Sequence, residues 1–252
     1  MITVSQLKEL VKSKKIGESV VFREYLQLLF LQKIYSFNLS EKVFFKGGTA
    51  IHLIYGAPRY SEDLDFTVEL TKDELKKLLA KVFSGLENEY AMRFKDRKSL
   101  AGKRYMMACR SVDDRYDMFV NLDFSFRESI LERMTSRIET DFPLVFDNYV
   151  HHLSDREMLA EKIRAITSRE KGRDLYDIWY LMARGTKVDE GLISKKLKYY
   201  NEELDWKKVK GRVEKFDKKK FILDLRPFVT IDKRDKLGEL FEYARDYIKD
   251  KL

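Results

Sequence analysis

The sequence predicts an α+β protein, with a mixed β-sheet flanked by helices in residues 1–150 and a helical lobe in residues 151–252. Three observations carry this expectation. Two helical apolar patterns, at 3–13 and 18–36, precede any strand pattern. Between Val43 and Phe126, short apolar runs and period-2 alternation are interrupted by one amphipathic helix. After the irregular stretch 139–153, which contains Pro143, the apolar spacing is helical almost to the C-terminus.

At 252 residues, 44% hydrophobic and 13% aromatic, the chain is long and apolar enough to bury a large core. No apolar run reaches the ~18 residues of a membrane span, and the N-terminus lacks a secretory pattern, so a cytoplasmic location is expected. A single cysteine, Cys109, excludes an intrachain disulfide framework and fits a reducing compartment. The net charge of +8 favours polyanionic partners such as triphosphates or RNA without choosing between them.

The first helix opens with Thr3 and Gln6 at capping-box spacing, and the second repeats Val21, Tyr25, Leu28, Leu29 and Ile34 on one side. Val43-Phe44-Phe45 reads as a short buried strand running into Lys46-Gly47-Gly48-Thr49, with a helical pattern from Ala50. Glycines between a strand and a helix start let backbone N–H groups approach an anion where the helix dipole is positive, which makes a phosphate cradle. Next, residues 61–68 (SEDLDFTV) are expected as a strand, with Ser61, Asp63 and Asp65 on one face and Leu64 and Phe66 on the other. Two same-face carboxylates repel unless a cation joins them, so a divalent metal is expected beside the cradle.

Thr71 and Glu74 cap a helix to about Leu86, and Tyr90–Phe94 and Arg104–Arg110 are candidate strands joined by the basic loop KDRKSLAGK. That loop is read as a solvated hairpin connection, with contact to nucleic acid or triphosphate as the alternative. From Met118 to Phe126 the alternation is strong, and it places Asp123 on the polar face with Phe119, Asn121 and Ser125. If this strand pairs with 63–68, Asp123 joins Asp63 and Asp65 as a third metal ligand; otherwise it faces solvent on an edge. Ser154 and Glu157 open the helix SDREMLAEKIRAITSRE, on which Lys162 and Arg169 lie seven residues apart. A further helix carries Asp174 and Asp177 one turn apart; Arg173 and Asp177, at i,i+4, are alternatively a weak surface pair. Helices are expected from Asp189 to Tyr200, over 205–216 and over 233–250. The three histidines, His52, His151 and His152, are too sparse for a His-based metal site.

KGGTAIHLIYGAPRYSEDLDF together with EKIRAITSREKGRDLYDIWYL resembles the AbiEii/MenT-type nucleotidyltransferase toxins of toxin–antitoxin systems, within the DNA polymerase beta-like superfamily. The resemblance implies a nucleotidyltransferase-like N-terminal lobe and Mg²⁺-dependent transfer of a nucleotide from a nucleoside triphosphate. Asp63, Asp65 and Asp123 would be the metal ligands. Gly47, Gly48, Thr49 and Ser61 would meet the phosphates. By match to the second motif, Lys162 and Arg169 would face the triphosphate, and Asp177, with Asp174 as the alternative, would organise the site or accept a proton. The implied acceptor is the 3′ end of tRNA, and the implied partner is an antitoxin encoded nearby. A polypeptide acceptor and a catalytically dead nucleotide- or RNA-binding protein are the competing readings.

Overall fold

The computed structural model describes residues 1–99 and 102–252; Leu100 and Ala101, within the expected KDRKSLAGK connection, lie outside the described residues. The chain forms two compact units, one of residues 1–56 and 60–153, the other of residues 57–59 and 154–252.

In the first unit, helix α1 (Val4–Lys14) begins with the Thr3–Gln6 capping box, and α2 (Glu18–Ile34) is buried along most of its length. Strand β1 (Val43–Lys46) leads into the short helix α3 (Gly47–Leu53), which starts at the first glycine, earlier than the apolar pattern indicates. Strand β2 spans only Leu64–Val68, so Ser61 and Asp63 lie in the preceding loop, not on the expected strand. The reason is local. The Ser61 and Glu62 carbonyls accept from the Gln27 amide at 3.2 and 2.9 Å, and the Asp63 carbonyl accepts from the Thr49 hydroxyl, so these carbonyls are engaged by side chains of α2 and α3.

Helix α4 (Lys72–Tyr90) carries the Thr71–Glu74 capping box and runs one turn beyond its expected end, closing with Ala91 in the left-handed region. Strands β3 (Arg93–Arg97), β4 (Gly102–Arg110) and β5 (Asp117–Ser125) follow. Two four-residue strands, β6 (Arg133–Ser136) and β7 (Val150–Leu153), complete the unit; β7 falls inside the stretch expected to be irregular.

Among the described residues the seven strands form one mixed sheet of order β3-β4-β5-β2-β1-β7-β6. The β2–β5 and β1–β7 pairs are parallel and the others antiparallel. Strand β5, the candidate edge strand, is interior. Its register places Phe45, Phe66 and Phe124 in one row across β1, β2 and β5, with Phe66 stacked on Phe124 at 4.9 Å and meeting Phe45 at 5.6 Å. That face carries the core. The neighbouring row, by alternation, projects from the opposite face.

The second unit is helical: α5 (Asp155–Ser168), α6 (Gly172–Ala183), α7 (Glu190–Lys198), α8 (Trp206–Glu214), α9 (Lys218–Leu225) and α10 (Leu237–Lys251). Ser154, Asp189, Asp205 and Asp217 accept backbone N–H bonds at the starts of α5, α7, α8 and α9. A Cβ at Gly172 would lie 2.7 Å from Phe221 Cα, so glycine there permits the close approach of α6 and α9. No helix among the described residues is long and apolar enough to cross a membrane.

Candidate active site

One residue beyond the aromatic row, the register aligns Lys46, Asp65, Asp123 and Arg104 across β1, β2, β5 and β4. Four charged side chains thus project from one face of four adjacent strands. Asp65 and Asp123 are direct partners in the parallel pair. The Arg104 Nε donates to Asp123 Oδ1 at 2.6 Å, and Lys46 Nζ lies 3.8 Å from the buried Glu128. Asp63, in the loop before β2, accepts from Asn121 Nδ2 at 2.9 Å; Asn121 stands two residues before Asp123 on the same face of β5.

The Asp123 hydrogen bond pushes the Arg104 guanidinium above its usual pKa. Burial works the other way, while the charges of Asp123, Asp63 and Asp65 add to the rise. A single cation therefore senses all three acids, which places the three expected ligands around one region of the surface. The carboxylates do not close on a common point as they stand: among the described residues no group of three or more His, Cys, Asp or Glu side chains is placed to hold a metal ion. The hydrogen bonds explain this, since Asp123 is turned to Arg104 and Asp63 to Asn121.

The diglycine lies beside Asp65. Gly47 has φ +79°, and a Cβ built on it would stand 2.3 Å from Asp65 Oδ2. Only glycine lets the chain turn into α3 while the carboxylate occupies that space. Thr49, expected at the phosphates, is buried, and its hydroxyl proton is committed to the Asp63 carbonyl. It braces the acidic loop. Ser61 is half-buried in the same loop. Oxygen-only donors clustered about a cation suit a hard divalent ion such as Mg²⁺.

The second motif forms its own network within the helical unit. Lys162 Nζ on α5 lies 2.9 Å from Asp174 Oδ1 and 2.8 Å from Asp177 Oδ2 on α6. Arg59 donates to both oxygens of Asp177, at 2.6 and 2.5 Å, and both side chains are almost fully buried. Arg169, just past the end of α5, donates from Nε and Nη2 to Asp174 at 2.7 and 3.0 Å and keeps its side chain half exposed. Burial disfavours the charged forms of Asp174, Lys162 and Arg59, yet the opposing charges win. Lys162 and Arg169 hold Asp174 well below the usual carboxylate range, and the acids raise Lys162 and Arg59. Asp177 is thus no surface partner of Arg173, whose guanidinium instead lies over the Phe228 ring.

Sequence reasoning gave Arg104 and Asn121 no role: strand pairing is needed to bring Arg104 to Asp123, whereas Asn121 shares the polar face of β5 with it. Arg59 lies in the first motif, two residues before Ser61, but its partner Asp177 is 118 residues away.

No curated protein matches the sequence. Several solved structures share the fold. JHP933 from Helicobacter pylori superposes with a TM-score of 0.59 at 18% identity, covering 94% of each chain. MenT4, a nucleotidyltransferase toxin from Mycobacterium tuberculosis H37Rv, superposes with a TM-score of 0.60 at 14% identity, covering 98% of this chain and 90% of its own. A family model described as nucleotidyl transferase AbiEii toxin, type IV TA system, matches residues 29–246, a span that includes the acidic row, the diglycine and the Lys162–Asp177 network. The chain belongs to the AbiEii nucleotidyltransferase toxin family.

Proposed function

We propose that this protein transfers a nucleoside monophosphate from a nucleoside triphosphate to an acceptor hydroxyl, with Mg²⁺ held by Asp63, Asp65 and Asp123. The observation that carries the proposal is the register of Asp65 with Asp123 on adjacent parallel strands, with the Gly47 turn packed on Asp65. When bound, the ion would neutralise phosphate charge and activate the attacking hydroxyl. The residues of this chain do the positioning. Gln27 and Thr49 hold the acidic loop by its carbonyls, and the Asp63 carboxylate is held only by the neutral Asn121 amide among the hydrogen bonds described. The backbone N–H groups of Gly47 and Gly48 are the assigned phosphate donors, with Ser61 beside them in the loop. Lys162 and Arg169 are the assigned partners of the triphosphate. Of the two, Arg169 is the more available, because Lys162 is bound by two buried acids while Arg169 is half exposed. Asp177, with both oxygens engaged by Arg59 and one shared with Lys162, holds those cations in place; we assign it a positioning role.

The acceptor we propose is the 3′ end of tRNA, which the net charge of +8 suits, and the biological partner an antitoxin. The test incubates the protein with each labelled nucleoside triphosphate, Mg²⁺ and total tRNA. Label should enter RNA, and Asp65→Ala should abolish its incorporation. Label appearing on a polypeptide instead would reject the tRNA acceptor and leave the chemistry standing. Binding of nucleotide with no transfer to either acceptor would reject the enzyme reading.

A further inference from the structure

The two edges of the sheet differ in charge. At one edge stands β6, whose only cation, Arg133, is matched by Glu69, with Nη2 2.7 Å from Oε1. At the other stands β3, in which Arg93, Lys95 and Arg97 are three of the five residues. Two residues apart along a strand, their side chains share one face at intervals of about 6.8 Å. All three are exposed. Arg93 Nη2 lies 3.1 Å from Asp117 Oδ2, and Arg97 Nη2 donates to Met106 Sδ at 3.0 Å. Among the described residues neither Lys95 nor Arg97 has a carboxylate within ion-pair distance.

The β3 edge is also firmly held. All five residues pair with β4, from Arg93 with Ala108 to Arg97 with Arg104. On the opposite face Phe94 stacks on Phe83 of α4, with centroids 4.0 Å apart and rings 10° from parallel, which anchors the strand to the helix. In an antiparallel pair every second residue turns its N–H and C=O away from the partner strand. Among the described residues those outward groups of β3 bond to no other backbone group.

A row of N–H and C=O groups at strand spacing is met in full by an extended polypeptide; a nucleic acid or a polyphosphate has no matching row. The cations then fix the sign of the occupant. Like charges directly opposed on neighbouring strands destabilise the pair, and unlike charges stabilise it. The antiparallel register that pairs all five residues of β3 with a second copy sets Lys95 against Lys95 and Arg93 against Arg97, so the edge disfavours its own copy. A strand with acidic residues at alternate positions instead sets one carboxylate opposite Lys95 and another opposite Arg97.

We infer that the β3 edge is a docking site for an extended acidic segment of a partner protein, which joins the sheet as a further strand with carboxylates opposite Lys95 and Arg97. The site does not rest on the transferase reading. Strands β3 and β4 separate the docked segment from β5 and Asp123, a distance of about 14 Å at about 4.8 Å per strand.

The probe is a labelled seven-residue peptide that alternates glutamate with valine, followed by anisotropy, with hydrogen exchange locating where it sits. It should bind and slow exchange of the β3 amides. Lys95→Gln/Arg97→Gln alters only exposed side chains and should weaken binding by about twofold to about thirtyfold, the worth of two cross-strand charge pairs. Lys95→Glu/Arg97→Glu should reverse the preference, so that a peptide alternating lysine with valine binds more tightly than the glutamate peptide. Two further peptides, N-methylated at every glutamate or at every valine, keep the charge and remove alternate N–H donors. One of the two should lose binding and the other keep it, because only alternate N–H groups face β3. No binding, binding that survives both methylations, or unchanged exchange in β3 would overturn the assignment. Oligouridylate slowing β3 exchange where the peptide does not would replace it with a nucleic-acid surface. Protection of β3 that grows with the concentration of the free protein would replace it with self-association.

Discussion

Replacing Arg59 by methionine tests the central arrangement of the helical unit. Arg59 and Asp177 are 1% and 0% exposed, and the guanidinium spans both carboxylate oxygens at 2.6 and 2.5 Å. The buried charges balance: Arg59 and Lys162 face Asp174 and Asp177, while Arg169 adds its charge from a half-exposed position. Without Arg59, Asp177 is left to Lys162, which it shares with Asp174, and the contact of the guanidinium with the Tyr176 ring, 5.8 Å from its centroid, is lost. Removing one partner of a buried pair costs about 3–5 kcal/mol, because the remaining charge cannot return to water. For a chain of this length each kcal/mol moves the melting temperature by about 2–4 °C, so Arg59→Met should melt roughly 6–20 °C lower by far-UV circular dichroism. Arg59→Met/Asp177→Leu removes both charges and should recover most of that loss, since apolar pairs of similar volume often match buried ion pairs. Transfer activity should return in part, because Lys162 keeps Asp174 as a partner when Asp177 is gone. A melt of Arg59→Met within about 1 °C of the parent would refute the energetic reasoning. A stable double variant without transfer would show that Asp177 is needed beyond its pairing with Arg59.

Three further outcomes are expected. Gly47→Ala sets a methyl group against Asp65 Oδ2 at a backbone angle that costs an L-residue about 1–2 kcal/mol, so transfer should fall far more than that small loss of stability explains; wild-type turnover would show that Asp65 is not held by the turn. Arg104→Gln releases Asp123 from a half-exposed ion pair of the kind worth about 0.2–1 kcal/mol, so Mn²⁺, followed by electron paramagnetic resonance, should bind up to about fivefold more tightly. Weaker binding would mean that Arg104 helps to assemble the metal ligands. Asp174 has a folded pKa below the ordinary carboxylate value of about 3.9, so its stabilising contribution is complete above that value and is lost as pH falls through the depressed one. Acid melts should therefore show a stability loss beginning near pH 4 and continuing downward that is smaller in Asp174→Asn; identical acid profiles would remove Asp174 from the linkage.

Much of the fold is legible because its signals are local. Capping pairs such as Thr3–Gln6 and Thr71–Glu74 lie within one helical turn, and the alternation of β5 is carried by nine consecutive residues. Strands β6 and β7, four residues each, are too short for a period to show, and their pairing with each other and with β1 is long-range. The start of β2 departs from the local pattern for a related reason. Ser61, Glu62 and Asp63 alternate like a strand, but their carbonyls are taken by Gln27 and Thr49, 14 to 35 residues away in sequence, a competition invisible to a local pattern.

The order of residues alone determined that Gly47 and Gly48 follow a strand, that Asp65 and Asp123 fall on polar faces of alternating segments, and that Asp174 and Asp177 lie one helical turn apart. These are consequences of backbone period, which neighbouring residues fix. The tertiary structure alone decided that Asp65 stands opposite Asp123, that Arg104 claims Asp123, and that Arg59, 118 residues away, closes on Asp177. Those outcomes depend on which strands pair and which buried charges find partners, and that choice is set by the free energy of the assembled core, not by any window of sequence.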